Sequence, residues 1–482
     1  MLPDNLSAFK YGTATVVLAI AFFVAHQRSY INNELDVKVL NSLRRAESKV
    51  SPGPAKVAVG FGACIDVFVD ALPLFEKLGI KPPTKSSHHE VITNFDNLAE
   101  GFAYFFRHGA AAERYFSNLT LFDDIVKMAR TLEGVRSDRG GNAPVMAHRL
   151  AMEGADVMLA APTNDEFMKM LWPGIKSTVT ESKDPDIHLI MEYKTGDKWG
   201  QYTSERANRF IIHSDQSNPT LSSLEPLIEP MKSFNPKLLV VGGLQMMDNF
   251  PFQSGQREKR LTALRNLLKN PPPGTNPLVH FELASFVEED LVSDLINYVA
   301  PYVDSFGMNE QELPNLESAL RYGNITILSE AYPRVASVLD QMRTAYKILR
   351  RKFQRVSRIH VHTLAFQAIM TRKGSQWKNT MSAAAHASLT ANRHVCGTKV
   401  VNISKSRLLM DESFSKTLEE GSTRVPLEPD RPVSCWDESY DFGSGKLDLV
   451  RICIAPNLIC TDVSQTAGGG DNISAAGLVM QI

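Results

Sequence analysis

From Lys56 onward, short apolar, β-rich runs alternate with segments whose apolar residues recur at helical spacing. Lys56–Gly60 reads as a strand, and Leu238–Val241 as a buried one closed by Gly242 and Gly243. Arg257–Leu268 follows as a helix, with Leu261, Leu264 and Leu268 on one face, and Pro271–Gly274 breaks the chain after it. Leu278–Phe281, Asn324–Leu328 and Ile359–Val361 are further strands. Between the last two, Val338, Leu339, Met342, Tyr346 and Leu349 form one helical stripe. Continuous apolar strands separated by amphipathic helices predict an α/β fold with a mainly parallel sheet covered on both faces.

Two runs break this alternation. Ile187–Tyr193 alternates apolar and polar positions, as a half-exposed strand does, and Arg209–His213 is placed to pair near it. They predict a small sheet over the main one, a lid. Parallel sheets bind ligands at the carboxyl ends of their strands. The polar residues that follow strands here, Asp66, Glu282 and Asn309, are therefore site candidates.

The N-terminus has its own pattern. Tyr11–Ala25 carries no charge and is dominated by Val, Leu, Ile and Phe, between Lys10 and Arg28. A full span needs about 20 apolar residues, so residues 1–27 read as a signal peptide or short signal anchor. Residues 28–51 read as a polar linker, with the folded domain over 52–482.

Composition narrows the partners. The chain of 482 residues is 43% hydrophobic and 22% charged, with a formal net charge of −1. It has no basic excess for a nucleic-acid backbone. Its five cysteines allow at most two disulfides and one leftover thiol. Glycosylation patterns begin at Asn5, Asn118, Asn324, Asn402 and Asn472; modification at Asn472 would block the site proposed next to it.

The strongest local chemistry lies at Thr466–Gly477, where Gly468-Gly469-Gly470-Asp471 opens an apolar, small-residue run. A glycine turn at a helix start presents free N–H groups to an anion. Asp471 is then either the cap of that helix or a base for a hydroxyl held beside the anion. Gly140-Gly141-Asn142-Ala143-Pro144 is a second glycine turn before a helix that stops near Gly154. Its N–H groups and the Asn142 amide suit sugar hydroxyls, and Asp66 adds an acceptor. No Gly-x-x-x-x-Gly-Lys-Ser/Thr loop occurs, and Gly60-Phe61-Gly62 lacks the third glycine of a dinucleotide fingerprint.

Taken in order, these motifs resemble the eukaryotic ADP-dependent glucokinases of the ribokinase-like superfamily, from about Pro52 to the end. The resemblance rests on Gly140–Ala143, His188–Tyr193 with Trp199-Gly200, Ala207–Ile211, His280–Glu282, Asn309–Glu312, Arg358–Leu364 and the final Gly-Gly-Asp. It implies a three-layer αβα domain with a smaller discontinuous lid that includes about 66–95 and 178–215. The implied reaction moves the β-phosphate of ADP to the 6-hydroxyl of glucose. By the same resemblance Asp471 is the base, and Gly468, Gly469 and Gly470 form the anion hole. Asp66, Gly140, Gly141, Asn142 and His188 would meet the sugar, and Arg209 and His362 the nucleotide. Glu282 and Glu312, with Asp471, would order Mg²⁺, mostly through water. A Cys396–Cys460 disulfide, a monomeric enzyme, and residence in the endoplasmic reticulum lumen, on its membrane or outside the cell are also implied. Two departures stand out: Cys64 replaces an expected Asn, and only eleven residues follow Asp471.

An ATP-dependent sugar kinase on the same fold would need the same loop. A membrane-tethered, non-catalytic binding protein would be expected to lack the base, a glycine or an acid, and none is missing.

Overall fold

A computed structural model describes residues 33–178, 184–286, 288–325, 332–442, 447–465 and 467–482. Two sheets of ten and six strands organise the chain. The first eight strands are β1 Lys56–Phe61, β2 Cys64–Asp70, β3 Val91–Ile92, β4 Ala112–Phe116, β5 Arg136–Gly140, β6 Asp156–Ala160, β7 Lys176–Ser177 and β8 Asp186–Tyr193. The next eight are β9 Asn208–His213, β10 Leu238–Gly242, β11 Leu278–Glu282, β12 Ser305–Asn309, β13 Arg358–His362, β14 Phe366–Arg372, β15 Ser434–Asp441 and β16 Leu447–Pro456.

The large sheet runs β15-β16-β14-β13-β12-β11-β10-β1-β6-β7. From β7 to β13 every neighbouring pair is parallel, and β14, β16 and β15 extend it antiparallel. Alternation along β1 sends Val57 and Val59 into one apolar core and Ala58 into the other. The first core takes helices Asn142–Met152, Thr380–Val395 and Gly469–Val479; the second takes Leu224–Phe234, Gln256–Lys269 and Val335–Phe353. This is the three-layer α/β architecture expected. The chain leaves β1 toward β6 and returns on its other side as β10, so a crevice opens at their carboxyl ends.

The lid sheet runs β3-β4-β9-β8-β2-β5. It takes in more chain than 66–95 and 178–215. Residues 95–140 belong to it, because β4 pairs with β9 and β5 pairs with β2. Helix Phe95–Arg107 packs beneath, with Phe102 edge-on to Phe75, Trp199 and Tyr193. The strands here are too short and polar (β5 is Arg-Ser-Asp-Arg-Gly) to stand out in the sequence. Asp66 also differs from expectation: it lies inside lid strand β2, not in a loop after β1. The crossing between sheets is clamped at Ala63, whose N–H donates to Asn218 Oδ1 at 3.0 Å and whose carbonyl accepts from Asn218 Nδ2 at 3.0 Å.

The stretch read as a linker holds a helix over 33–47. Val39 and Leu43 are fully buried in the first core, which a polar stalk would not achieve. The Tyr11–Ala25 run lies outside the described residues, as does most of Asn324–Leu328. Among the described residues no helix is long and apolar enough to cross a membrane. Two disulfides close, Cys396–Cys460 and Cys435–Cys453, and Cys64 is the free, buried thiol.

Candidate active site

A cleft of about 400 Å³ separates the lid sheet from the carboxyl ends of β1 and β10. Its lid wall is a register row: Asp138 on β5 faces Asp66 on β2, Asp66 faces His188 on β8, and His188 faces His213 on β9. Its other wall is built from two glycine turns that open helices. Gly141 caps helix Asn142–Met152 at φ 82° and ψ 151°, and Gly468 caps helix Gly469–Val479 at φ 66°. Asp471 is thus not the cap; it lies in the first turn, where its carboxylate projects from the helix start.

The two turns meet. Asn142 Nδ2 donates to Asp471 Oδ1 at 2.8 Å across 329 residues of chain. Gln245, two residues past the Gly242-Gly243 turn, donates from Nε2 to Asn142 Oδ1 at 2.9 Å. This fixes which face of the Asn142 amide meets Asp471. Burial, then the neighbouring Glu282 carboxylate, pushes Asp471 up to about 7.

Asp66 sits against the glycine turn. A Cβ on Gly140 would lie 2.0 Å from Asp66 Oδ1, so only glycine lets the carboxylate approach. Burial is also the main reason Asp66 is raised to about 6. His188 Nε2 lies 3.1 Å from Asp215 Oδ1, and Nδ1 lies 3.3 Å from Glu113. Burial opposes charge on this ring, but Cys64 and Asp215 beside it outweigh burial and raise its pKa. Ionised, Asp66 accepts from sugar hydroxyls on both oxygens, and protonation removes part of that acceptor capacity. Sugar affinity is therefore expected to hold above pH 7 and to weaken below pH 6, by at most about tenfold per unit. Fluorescence-monitored binding between pH 5 and 8 checks this, and Asp66→Asn should flatten the profile.

Of the other expected site residues, Arg209 lines the cleft on β9, opposite Glu192 in register. His362 does not line it. Its ring is buried behind the loop, so that a Cβ on Gly470 would meet its Cε1 at 2.7 Å. His362 Nε2 faces Glu282 Oε1 at 3.5 Å, while His280 Nε2 contacts Glu282 Oε2 at 2.8 Å. Burial would raise Glu282, but these two rings outweigh it and hold the acid at about 2. Glu312 begins helix Glu312–Tyr322, and burial drives it to about 7. It accepts from the Asn309 backbone and amide, both at 2.9 Å.

Glu282, Glu312 and Asp471 thus share one acidic region, but they are absent from the close-set metal-ligand groups among the described residues. Hard carboxylates that repel one another yet do not converge suit a hydrated Mg²⁺. Asn472 is buried, with its amide held by Arg149 and Gly468, so its glycosylation pattern has no free acceptor. Glu113, Gln245 and Asn218 escaped the sequence reading. Gln245 alone carried a signal, as a polar residue just past a glycine-closed strand.

The model for the ADP-specific phosphofructokinase/glucokinase conserved region matches residues 55–480. The chain belongs to that family. An ADP-dependent glucokinase of Bos taurus is 33% identical over 88% of this chain and 84% of its own. A probable ADP-dependent glucokinase of Caenorhabditis elegans is 28% identical over 98% of this chain and 96% of its own. The crystal structure of a hypothetical ADP-dependent phosphofructokinase from Pyrococcus horikoshii shares the fold, with TM-score 0.62 at 16% identity over 89% of this chain and 98% of that one. The chain is therefore an ADP-dependent kinase that phosphorylates a sugar.

Proposed function

We propose that this kinase phosphorylates D-glucose at its 6-hydroxyl with ADP, releasing glucose 6-phosphate and AMP. The observation that carries the reading is the 2.8 Å bond between Asn142 and Asp471. It joins the turn suited to a sugar with the turn suited to a phosphate, at the residue that must serve both.

The charge of the cleft favours a sugar that is not already phosphorylated. Five acids line it (Asp66, Glu113, Asp138, Glu192 and Asp471) against Arg136, Arg139 and Arg209. Arg136 is paired with Glu192 at 3.1 Å and Arg139 with Asp138 at 3.0 Å. Arg209, with no ion-pair partner among the described residues, is left for the donor phosphates. The nucleoside has room in a hollow of about 670 Å³ lined by Thr363, Leu364, Phe414 and Ser422. That hollow starts one residue past His362, whose ring backs the glycine loop.

Asp471, held by Asn142 on one oxygen, orients the sugar hydroxyl with the other and takes its proton as the new O–P bond forms. The bond from the β-phosphorus to the bridging oxygen breaks, and AMP leaves with that oxygen. N–H groups at the start of helix Gly469–Val479 and the Arg209 guanidinium offset charge on the moving phosphoryl group. Glu282, Glu312 and Asp471 would hold a hydrated Mg²⁺, which would offset phosphate charge. The two disulfides are the pattern of an oxidising compartment, and we place the enzyme in the lumen of the endoplasmic reticulum, reached through residues 1–27.

The test offers the full-length chain glucose and Mg²⁺ with ADP or ATP in turn. AMP and sugar phosphate with ADP are expected; turnover with ATP alone, or with neither, overturns the reading.

A further inference from the structure

A chain of buried and half-buried polar groups runs from the helix over residues 33–47 to the glycine loop, along two routes that share Glu47. On the first, Glu47 Oε1 contacts His386 Nδ1 at 2.6 Å, and His386 Nε2 lies 3.3 Å from Glu153 Oε1. The same Glu153 oxygen lies 3.4 Å from Arg149 Nη1. Arg149 Nε donates to Asn472 Oδ1 at 2.8 Å, and Asn472 Nδ2 donates to the Gly468 carbonyl at 2.8 Å. On the second, Arg393 grips both Glu47 oxygens, at 2.6 and 3.0 Å. The next residue, His394, holds the Ala467 carbonyl from Nε2 at 2.8 Å. Both routes end on the loop that carries Asp471.

We propose that the helix over residues 33–47 is a strut for this loop, with Glu47 as the positioning residue. The proposal rests on the catalytic reading of Asp471. Glu47 touches neither wall of the cleft; it acts through other side chains. The helix that bears it is anchored independently. Val39, Leu40 and Leu43 are buried, Asp36 accepts from the Leu408 N–H at 3.3 Å, and Arg44 donates to the Val401 carbonyl at 3.2 Å. Glu47 is therefore held in place rather than free to drift.

Charge explains why a carboxylate is needed at 47. His386 lies between two acids, Glu47 and Glu153, with Arg393 and Arg149 beyond them. Burial disfavours a charged ring, but the two acids outweigh it and keep the imidazolium. An imidazolium presents N–H on both nitrogens and bridges both acids. Without the Glu47 charge the ring loses one acid and Arg393 loses its anion. The ring's hold on Glu153 weakens with the loss of its charge, and with it the hold of Arg149 on Asn472 and Gly468 loosens. The anion hole is an arrangement of backbone N–H groups, so misplacing it by a fraction of an ångström costs turnover rather than sugar affinity.

The experiment compares the full-length chain with Glu47→Gln, and with Lys38→Ala, an exposed control on the same helix paired only with Glu34. Glu47→Gln is expected to lower kcat at least tenfold, with the sugar KM within twofold of wild type, and Lys38→Ala to change neither. Hydrogen exchange of the 467–472 amides should quicken in Glu47→Gln, with the lid unchanged. If Glu47→Gln does not fold, Arg393→Met cuts only the second route and should give the same kcat-selective loss. A kcat within twofold of wild type with unchanged loop exchange overturns the strut. Exchange is read without turnover, so an inactive wild type would refute the proposed reaction while leaving the strut separately testable.

Discussion

Asp471→Ala is expected to keep sugar binding and to lose turnover by roughly 10²–10⁴-fold, the usual weight of general-base assistance. The separation follows from geometry. The sugar wall, with Asp66, His188 and the Gly140-Gly141 turn, is assembled without Asp471. The substitution removes the acceptor for the sugar proton and leaves Asn142 with one unused donor. Steady-state kinetics beside equilibrium sugar binding checks both halves. Near wild-type turnover sinks the assignment of the base; lost sugar binding moves the residue into the binding wall.

Gly141→Ala should be strongly damaging to both stability and sugar binding. Its φ of 82° with ψ of 151° is a conformation essentially reserved to glycine. A side chain there costs about 1–3 kcal/mol from backbone strain alone. The added Cβ would also lie 2.5 Å from the Gly62 carbonyl oxygen and 2.9 Å from Ala63 Cα, and backbone cannot rotate aside. Gly62 is itself wedged against Gly243, where a Cβ would come within 2.5 Å of Gly243 Cα. The glycines after β1, β5 and β10 thus form one junction at the crevice. Gly134→Ala supplies the comparison, since its φ is 77° but nothing lies within 4 Å of the added carbon. Gly141→Ala should exceed Gly134→Ala in lost thermal stability and weaken sugar binding at least tenfold. Equal effects from the two would remove the junction from the account.

Much of this is legible in the sequence. Strands β1 and β10 announce themselves because burial on both faces demands nearly unbroken apolar runs. The two glycine turns were legible because positive φ and close approach leave few other choices. The lid's share of 95–140 was not, since short polar strands carry little periodic signal. The helix over 33–47 is hidden by its charged outer face: Val39, Leu40, Leu43 and Ala46 are the apolar residues of a buried side shared with Asp36 and Ser42. Glu113 and Gln245 gained meaning only when register and the crevice brought them to the cleft. His362 was expected at the nucleotide because its strand lies near it. Alternation along β13 instead turns the ring behind the loop, toward Glu282.

The fate of one phosphorus atom decides the proposed reaction most directly. Phosphorus NMR of the full-length chain with glucose, ADP and Mg²⁺ should show AMP and a sugar phosphomonoester growing in equal amounts. The β-phosphate resonance should decay at the same rate, and Asp471→Ala should slow all three together. Inorganic phosphate growing in place of the sugar ester would contradict it, because the cleft would then be delivering the phosphoryl group to water.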